Sequence, residues 1–246
     1  MNATRAPKLA LFLLFVSAVL AGAQPPARIT HIEGSASVLR SGASQWRDAR
    51  PGMPLGVGDE LYARTESFVE VRYEVGAVVR LNEETKMILE EVSDAVITTR
   101  TPMGDVWVNM RRLTSAGRQF DMATPTAVAS IRGTSYRMTT AADSSTDVNV
   151  FGGEVAVGPS GDRGAKPGTG HPRPPAAEPR EVPGPEEVPG PFEVPLEHWL
   201  TIVAGQRISV RADGKFAKEQ FELESALEDL FVKKNIERDR NDDESR

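Results

Sequence analysis

From residue 28 to 157 the apolar residues of this 246-residue chain arrive in short alternating runs separated by glycine, and no stretch there keeps a helical period. Runs at 35–40, 68–73, 77–81, 86–89, 105–110, 120–123 and 147–150 each read as a strand. In the third, AVVRL stands directly behind Gly76, as a strand does behind a turn. A parallel α/β fold would need helical crossovers of about a dozen residues between such runs. Their absence predicts an all-β domain: a sandwich, a barrel or a solenoid.

The residues ahead of this region predict export. Residues 1–23 join a basic start (Arg5, Lys8) to an apolar stretch at 9–20 and then to Ala21, Gly22 and Ala23, the pattern of a cleavable signal peptide. The apolar stretch is about a dozen residues, short of the roughly 20 that a membrane-spanning helix needs, so cleavage is expected over anchoring. Without that leader the chain carries 27 basic and 35 acidic groups. Such a balance argues against a nucleic-acid partner. With no cysteine, the mature chain has to fold on its core alone, in a compartment that would tolerate disulfides. The expected location is exported and periplasmic, with no transmembrane anchor in the mature chain.

Composition divides the rest. Residues 24–157 form the β-domain. Residues 158–195 hold eleven of the eighteen prolines and repeat EVPGPE, EVPGPF, EVP with a period of six. Proline removes the amide donors a sheet needs and fixes φ near the polyproline value, so this segment is expected to be an extended, solvated insertion: a spacer, or a ligand for proline-recognising modules. Residues 196–216 return to alternation and read as closing strands of the same domain. Over 217–236, Leu223, Leu227, Leu230 and Phe231 fall at helical spacing among Glu and Lys, which predicts an amphipathic helix burying that stripe. Residues 237–246 are charged and poor in apolar groups, and read as a disordered tail.

Catalytic chemistry finds little foothold. His31, His171 and His198 lie far apart, none with a partner at metal-site spacing, so no metal site is expected. No nucleophile elbow, P-loop or dinucleotide fingerprint occurs, and neither a cofactor nor a cysteine nucleophile is expected. The pairs Glu83–Glu84 and Glu90–Glu91 could in principle flank a sugar bond. Neighbours on a strand point to opposite faces, however, and the simpler reading is one edge of a polar surface. The chain is read as a non-enzyme.

One run is specific. Thr124, Pro125, Ala127, Ala129, Ile131, Arg132, Gly133, Thr134 and Tyr136 spell Thr-Pro-x-Ala-x-Ala-x-Ile-Arg-Gly-Thr followed by an aromatic, which resembles the hallmark of the FecR domain family. GSASVLRSG with Trp46, LGVGDELYARTESFVEVRY and GAVVRLNEETKMIL are similar to the family's opening strands, and TDVNVFGGEVAV and LTIVAGQRISVRADG to its closing ones. Glu74-Val75-Gly76 departs from the Asp-Gly common at that turn. The resemblance implies a β-solenoid or roll-like fold over about 29–214, with the proline segment as an insertion. It also implies a non-enzymatic, envelope-side interaction or signalling module whose partner is an envelope protein. The signal peptide stands where the family's regulators carry sigma-contacting and transmembrane segments, so sigma regulation is not expected to carry over. Alternatively, the chain is a cell-wall or glycan-binding module.

The motif itself divides two ways. In a strand, Ala127, Ala129 and Ile131 would point inward, Gly133 would permit a bulge, and Arg132 would satisfy carbonyls or a carboxylate around it. The other reading has Arg132 gripping an anionic envelope component. Thr124, Pro125, Ala127, Ile131, Arg132, Gly133, Thr134 and Tyr136 are therefore structural candidates that could also bind.

Overall fold

A computed structural model describes residues 25–110, 118–131, 133–160, 194–195 and 199–244. The expected signal peptide and nearly all of the proline-rich insertion lie outside the described residues.

The chain opens with β1 (Ala27–Glu33) and β2 (Ala36–Leu39), followed by two short bridges, β3 (Arg47–Asp48) and β4 (Pro54–Leu55). Next come β5 (Glu60–Ala63), β6 (Phe68–Tyr73), β7 (Ala77–Leu81), β8 (Thr85–Val92) and the 15-residue β9 (Val96–Met110). Then follow β10 (Gln119–Ala123), β11 (Ala127–Ile131), β12 (Ser135–Thr140), β13 (Thr146–Gly152) and β14 (Glu154–Pro159). The pair Val194–Pro195 is β15, and β16 (Leu200–Val203), β17 (Gln206–Val210) and β18 (Lys215–Gln220) complete the strands. Two helices end the described chain, α1 (Leu223–Ala226) and α2 (Leu230–Glu244).

These strands form two facing sheets. The first runs β4-β1-β6-β7-β9-β12-β13-β17-β18-β15 and the second β3-β2-β5-β8-β9-β10-β11-β14-β16. Strand β9 belongs to both, passing from the second to the first near Gly104. Every pairing is antiparallel except that of β9 with β10. Each hairpin in the first sheet, β6–β7 or β12–β13, continues through corners into a paired strand couple in the second, β5–β8 or β11–β14. Alternation follows from this layering, because one face of each strand meets the other sheet. In β12, Tyr136, Met138 and Thr140 point into the core while Ser135, Arg137 and Thr139 face outward. Ile29, Val79, Val108, Tyr136 and Val150 from the first sheet and Leu61, Met87, Phe120, Ala129 and Val157 from the second share one apolar core.

The C-terminus departs from the sequence reading. Residues 217–220, expected to be helical, belong to β18: Ala217 is buried opposite Ser209, and the strand extends the sheet beyond β17. The helix instead reaches Glu244, so 237–244 is not an unfolded tail. The expected stripe is largely uncovered, with Leu223 and Leu227 each 42 % exposed and Leu230 82 %. Only Phe231 of that stripe is buried, joined by Val232 and, partly, Ile236 against Phe68, Trp107 and Phe151. The tail is helical because its acids have partners on the sheet beneath, which residue spacing within the tail could not reveal.

Candidate functional site

The outer face of the first sheet carries a row of side chains in cross-strand register. His31, Glu70, Arg80, Trp107, Arg137, Asn149, Arg207 and Glu219 are successive Cα partners on β1, β6, β7, β9, β12, β13, β17 and β18. Alternation places Arg80, since Val79 and Leu81 on either side face the core, whereas His31 joins the row through a register shift after Ile29. Helix α2 crosses this row.

Arg80 is the centre of the contact, its side chain 0 % exposed. Its Nε donates to Glu70 at 2.9 Å, Nη1 to Asp239 at 2.5 Å and Nη2 to Asp242 at 3.4 Å. Arg72 bridges the same two elements, with Nε donating to Glu70 at 2.9 Å and Nη2 to Asp242 at 2.8 Å. The indole N–H of Trp107 donates to the other oxygen of Asp239 at 2.9 Å. Burial alone would push the Glu70 carboxyl upward, but hydrogen bonds from Arg80 and Thr30 and the charges of Arg80 and Arg72 outweigh it and bring it down to about 2. A guanidinium this buried is tolerable only because each nitrogen meets an acceptor.

The start of α2 and one of its flanks are pinned as well. Arg137 grips Asp105 with Nε at 2.8 Å and Nη2 at 2.6 Å and reaches Asp229 with Nη1 at 2.7 Å. Asp229 in turn accepts from the amides of Phe231 and Val232, capping the helix. On the other flank Glu33 accepts from Lys234 at 2.5 Å and Arg238 at 2.8 Å. The Lys234 hydrogen bond is the main reason its carboxyl falls to about 2. Between α1, the start of α2 and β13–β17 lies an open groove of about 450 Å³ with Phe151 and Phe221 on its walls. The outer face is thus a surface shaped to hold an acidic helix by arginines and aromatic rings.

The motif residues lie elsewhere, near the turns and corners of β10 to β12. Ala127, Ala129 and Ile131 are fully buried in the core. Thr124 is buried and hydrogen-bonds Thr146 Oγ1 at 2.8 Å, while Pro125 is exposed at the turn. Gly133 sits at the corner where β11 of the second sheet passes to β12 of the first, with φ +70°, and nothing stands within 4 Å of where a Cβ would be. Gly153, at the neighbouring β13–β14 corner, has φ +77° and the Gly133 carbonyl 2.5 Å from its Cβ position. Thr134 and Tyr136 are buried, and burial pushes the Tyr136 hydroxyl well above its ordinary value. Arg132 lies outside the described residues. The described motif residues pack corners and core and line no cavity with the Arg80 cluster.

Sequence reading missed Arg80, Glu70, Trp107 and Asp239. A signal was present: a cation in AVVRL and a tryptophan in DVWVNM occupy outward positions of central strands, where a solvated face would more usually carry small polar groups.

The description FecR protein matches residues 59–156, from the residue before β5 into β14. Those residues are a FecR domain. Among solved structures, a protein of Parabacteroides distasonis ATCC 8503 described as a candidate anti-sigma factor, solved at 1.65 Å and again at 2.50 Å, is similar. It is 18 % identical with a TM-score of 0.45, and the match covers 66 % of this chain and 60 % of that one. This chain therefore matches less than two thirds of that protein's length. No curated protein matches. The FecR domain supplies Glu70, Arg72, Arg80, Trp107 and Arg137 to the helix-binding face, and α2 comes from beyond it. No described helix is long and apolar enough to cross a membrane.

Proposed function

We propose that this protein is a non-enzymatic, envelope-side interaction module of FecR type, exported to the periplasm and engaging an envelope protein. The FecR domain over 59–156 carries the reading. In it, the bent hairpins make a roll-like scaffold, 158–195 is a solvated insertion, and the motif from Thr124 to Tyr136 holds the corners of that scaffold in shape. Expressed with its own leader in a bacterial host, the protein should appear in the periplasmic fraction with residues 1–23 removed, as mass spectrometry of the intact chain would show. Cytoplasmic retention at full mass would refute the export half of the reading. Cross-linking in intact envelopes should then join it to a discrete protein.

A second reading, a glycan-binding module, has one observation in its favour. Trp46 is 42 % exposed, edge-on to Tyr62 at 6.4 Å between ring centres, and sugars stack on such rings. Lys86 stands 5.8 Å from the Trp46 ring centre. Co-sedimentation with purified cell wall that is lost in Trp46→Ala would favour this reading, whereas no co-sedimentation removes it.

A further inference from the structure

The stretch from Phe221 to Leu230, FELESALEDL, contains no glycine or proline, and Leu, Glu and Ala in it are strong helix formers. Nothing in it demands that a helix stop. Yet α1 ends at Ala226 and α2 begins at Leu230, joined by a turn whose amides bond three residues back: Glu228 to Ser225 at 3.2 Å and Asp229 to Ala226 at 3.3 Å. The break is held from outside. Arg137 draws in Asp229, and Asp229 spends its other acceptor on the Phe231 and Val232 amides. The connecting segment is lightly attached, since α1 buries no residue and has no side-chain cap.

Straightened, residues 222–244 would form one helix of about 35 Å. In it Leu223, Leu227 and Leu230, spaced four and three apart, fall on a single stripe. In the bent form those three leucines are 42 %, 42 % and 82 % exposed. A helix of that length would carry α2 off its own sheet, and Arg80 and Trp107 would lose Asp239. A second copy of the chain supplies the same acids to the same arginines.

We propose that two copies of this protein exchange α2, each straightening through 227–229 and laying its helix across the outer face of the partner's first sheet. The occupant is fixed by the complementarity of α2 to this face. The face is built for Asp239 and Asp242, which meet Arg80 and Arg72, at their spacing on α2, and a second α2 satisfies it identically. Both clamps are filled in the dimer, so the buried guanidinium is never left unpaired. The gain over the monomer is the leucine stripe, which two straightened connections running past each other across a two-fold axis would cover. This goes beyond the interaction function proposed above and does not depend on it.

The chain has no cysteine, so single thiols report the exchange. Glu33 and Lys234 meet across the sheet–helix seam and are both partly exposed. Full-length Glu33→Cys and Lys234→Cys chains would be mixed, unfolded together, refolded over a concentration series, treated with a short bis-maleimide and separated by size with light scattering. The expected result is a species of twice the monomer mass in which position 33 of one chain is joined to position 234 of the other. Asp229→Ala, which releases the bend, should raise the dimer fraction several-fold. Leu230→Ser should abolish the dimer while leaving the monomer's melting temperature unchanged. The proposal is overturned if Asp229→Ala remains monomeric at every concentration. It is equally overturned if a dimer forms but, in the Glu33→Cys/Lys234→Cys double variant, the link stays within each chain, for then the leucines pack without exchange.

Discussion

Arg80 and Asp239 stand 159 positions apart in the chain, and their side chains meet at 2.5 Å beneath a helix, with the arginine wholly removed from solvent. Removing the cation takes away the guanidinium that joins Glu70 to Asp239 and leaves Glu70 with Arg72 as its bonded cation. Arg80→Met should therefore destabilise the protein by about 3–5 kcal/mol, the cost typical of breaking a buried pair from one side. Urea unfolding followed by circular dichroism measures it. A midpoint equal to that of the parent would mean that α2 does not depend on this contact.

Acid should loosen the same seam. The Glu70 carboxyl is held down to about 2, against an ordinary value of 4.5 in the unfolded chain. A depressed carboxylate contributes stability that is complete above the unfolded value and is lost as pH falls through the folded one. Stability should accordingly decline from about pH 4.5 towards pH 2, and Glu33, depressed to a similar value, should add to the decline. Trp107 is buried against α2, so its fluorescence should shift to the red over that window. In Glu70→Gln the decline should be shallower. An unchanged profile in that variant would assign the acid response to other groups.

The two corner glycines separate backbone strain from crowding. Gly133 has φ +70° with open space around its missing Cβ, so Gly133→Ala should cost only the left-handed conformation, about 1 kcal/mol. Gly153 has a similar φ, but its Cβ would lie 2.5 Å from the Gly133 carbonyl. Gly153→Ala should cost clearly more, because one corner must move off the other. Melting temperatures of the two variants test the order, and a reversed order would contradict the corner packing.

The proline-rich segment joins two neighbours. Strands β14 and β16 pair directly, Val157 opposite Leu200 and Glu154 opposite Val203, so 161–193 fall within the connection between two neighbouring strands. Loop-closure entropy grows only with the logarithm of length, about 0.6 kcal/mol per doubling. Replacing 161–193 by a short Gly-Ser turn should leave the protein folded, with stability changed by less than about 2 kcal/mol. Differential scanning calorimetry would show one cooperative transition in both chains. Its loss in the shortened chain would make the insertion part of the fold.

How far local sequence reaches is visible in particular elements. Residues 68–73 and 77–81 read as strands and are strands at those same bounds, because apolar alternation with a turn at Gly76 is information carried within a few residues. Ala127, Ala129 and Ile131 face inward as their alternation predicts. The FecR domain, too, was legible in residues alone, through a run whose spacing few other folds would need. What the sequence by itself determined is thus the all-β class, several strand positions such as 68–73 and 77–81, and the FecR match within 59–156. Tertiary structure decided where the C-terminus goes. Periodicity favoured a helix seated on Leu223, Leu227, Leu230 and Phe231, whereas the folded chain keeps only Phe231 of these and seats the helix on it, on Val232 and on acids in a segment that reads as a tail. The physical reason is that Arg72, Arg80 and Arg137 become one surface only when four strands come into register. A carboxylate's preference for such a surface is a property of the assembled sheet and leaves no mark in the spacing of its own neighbours.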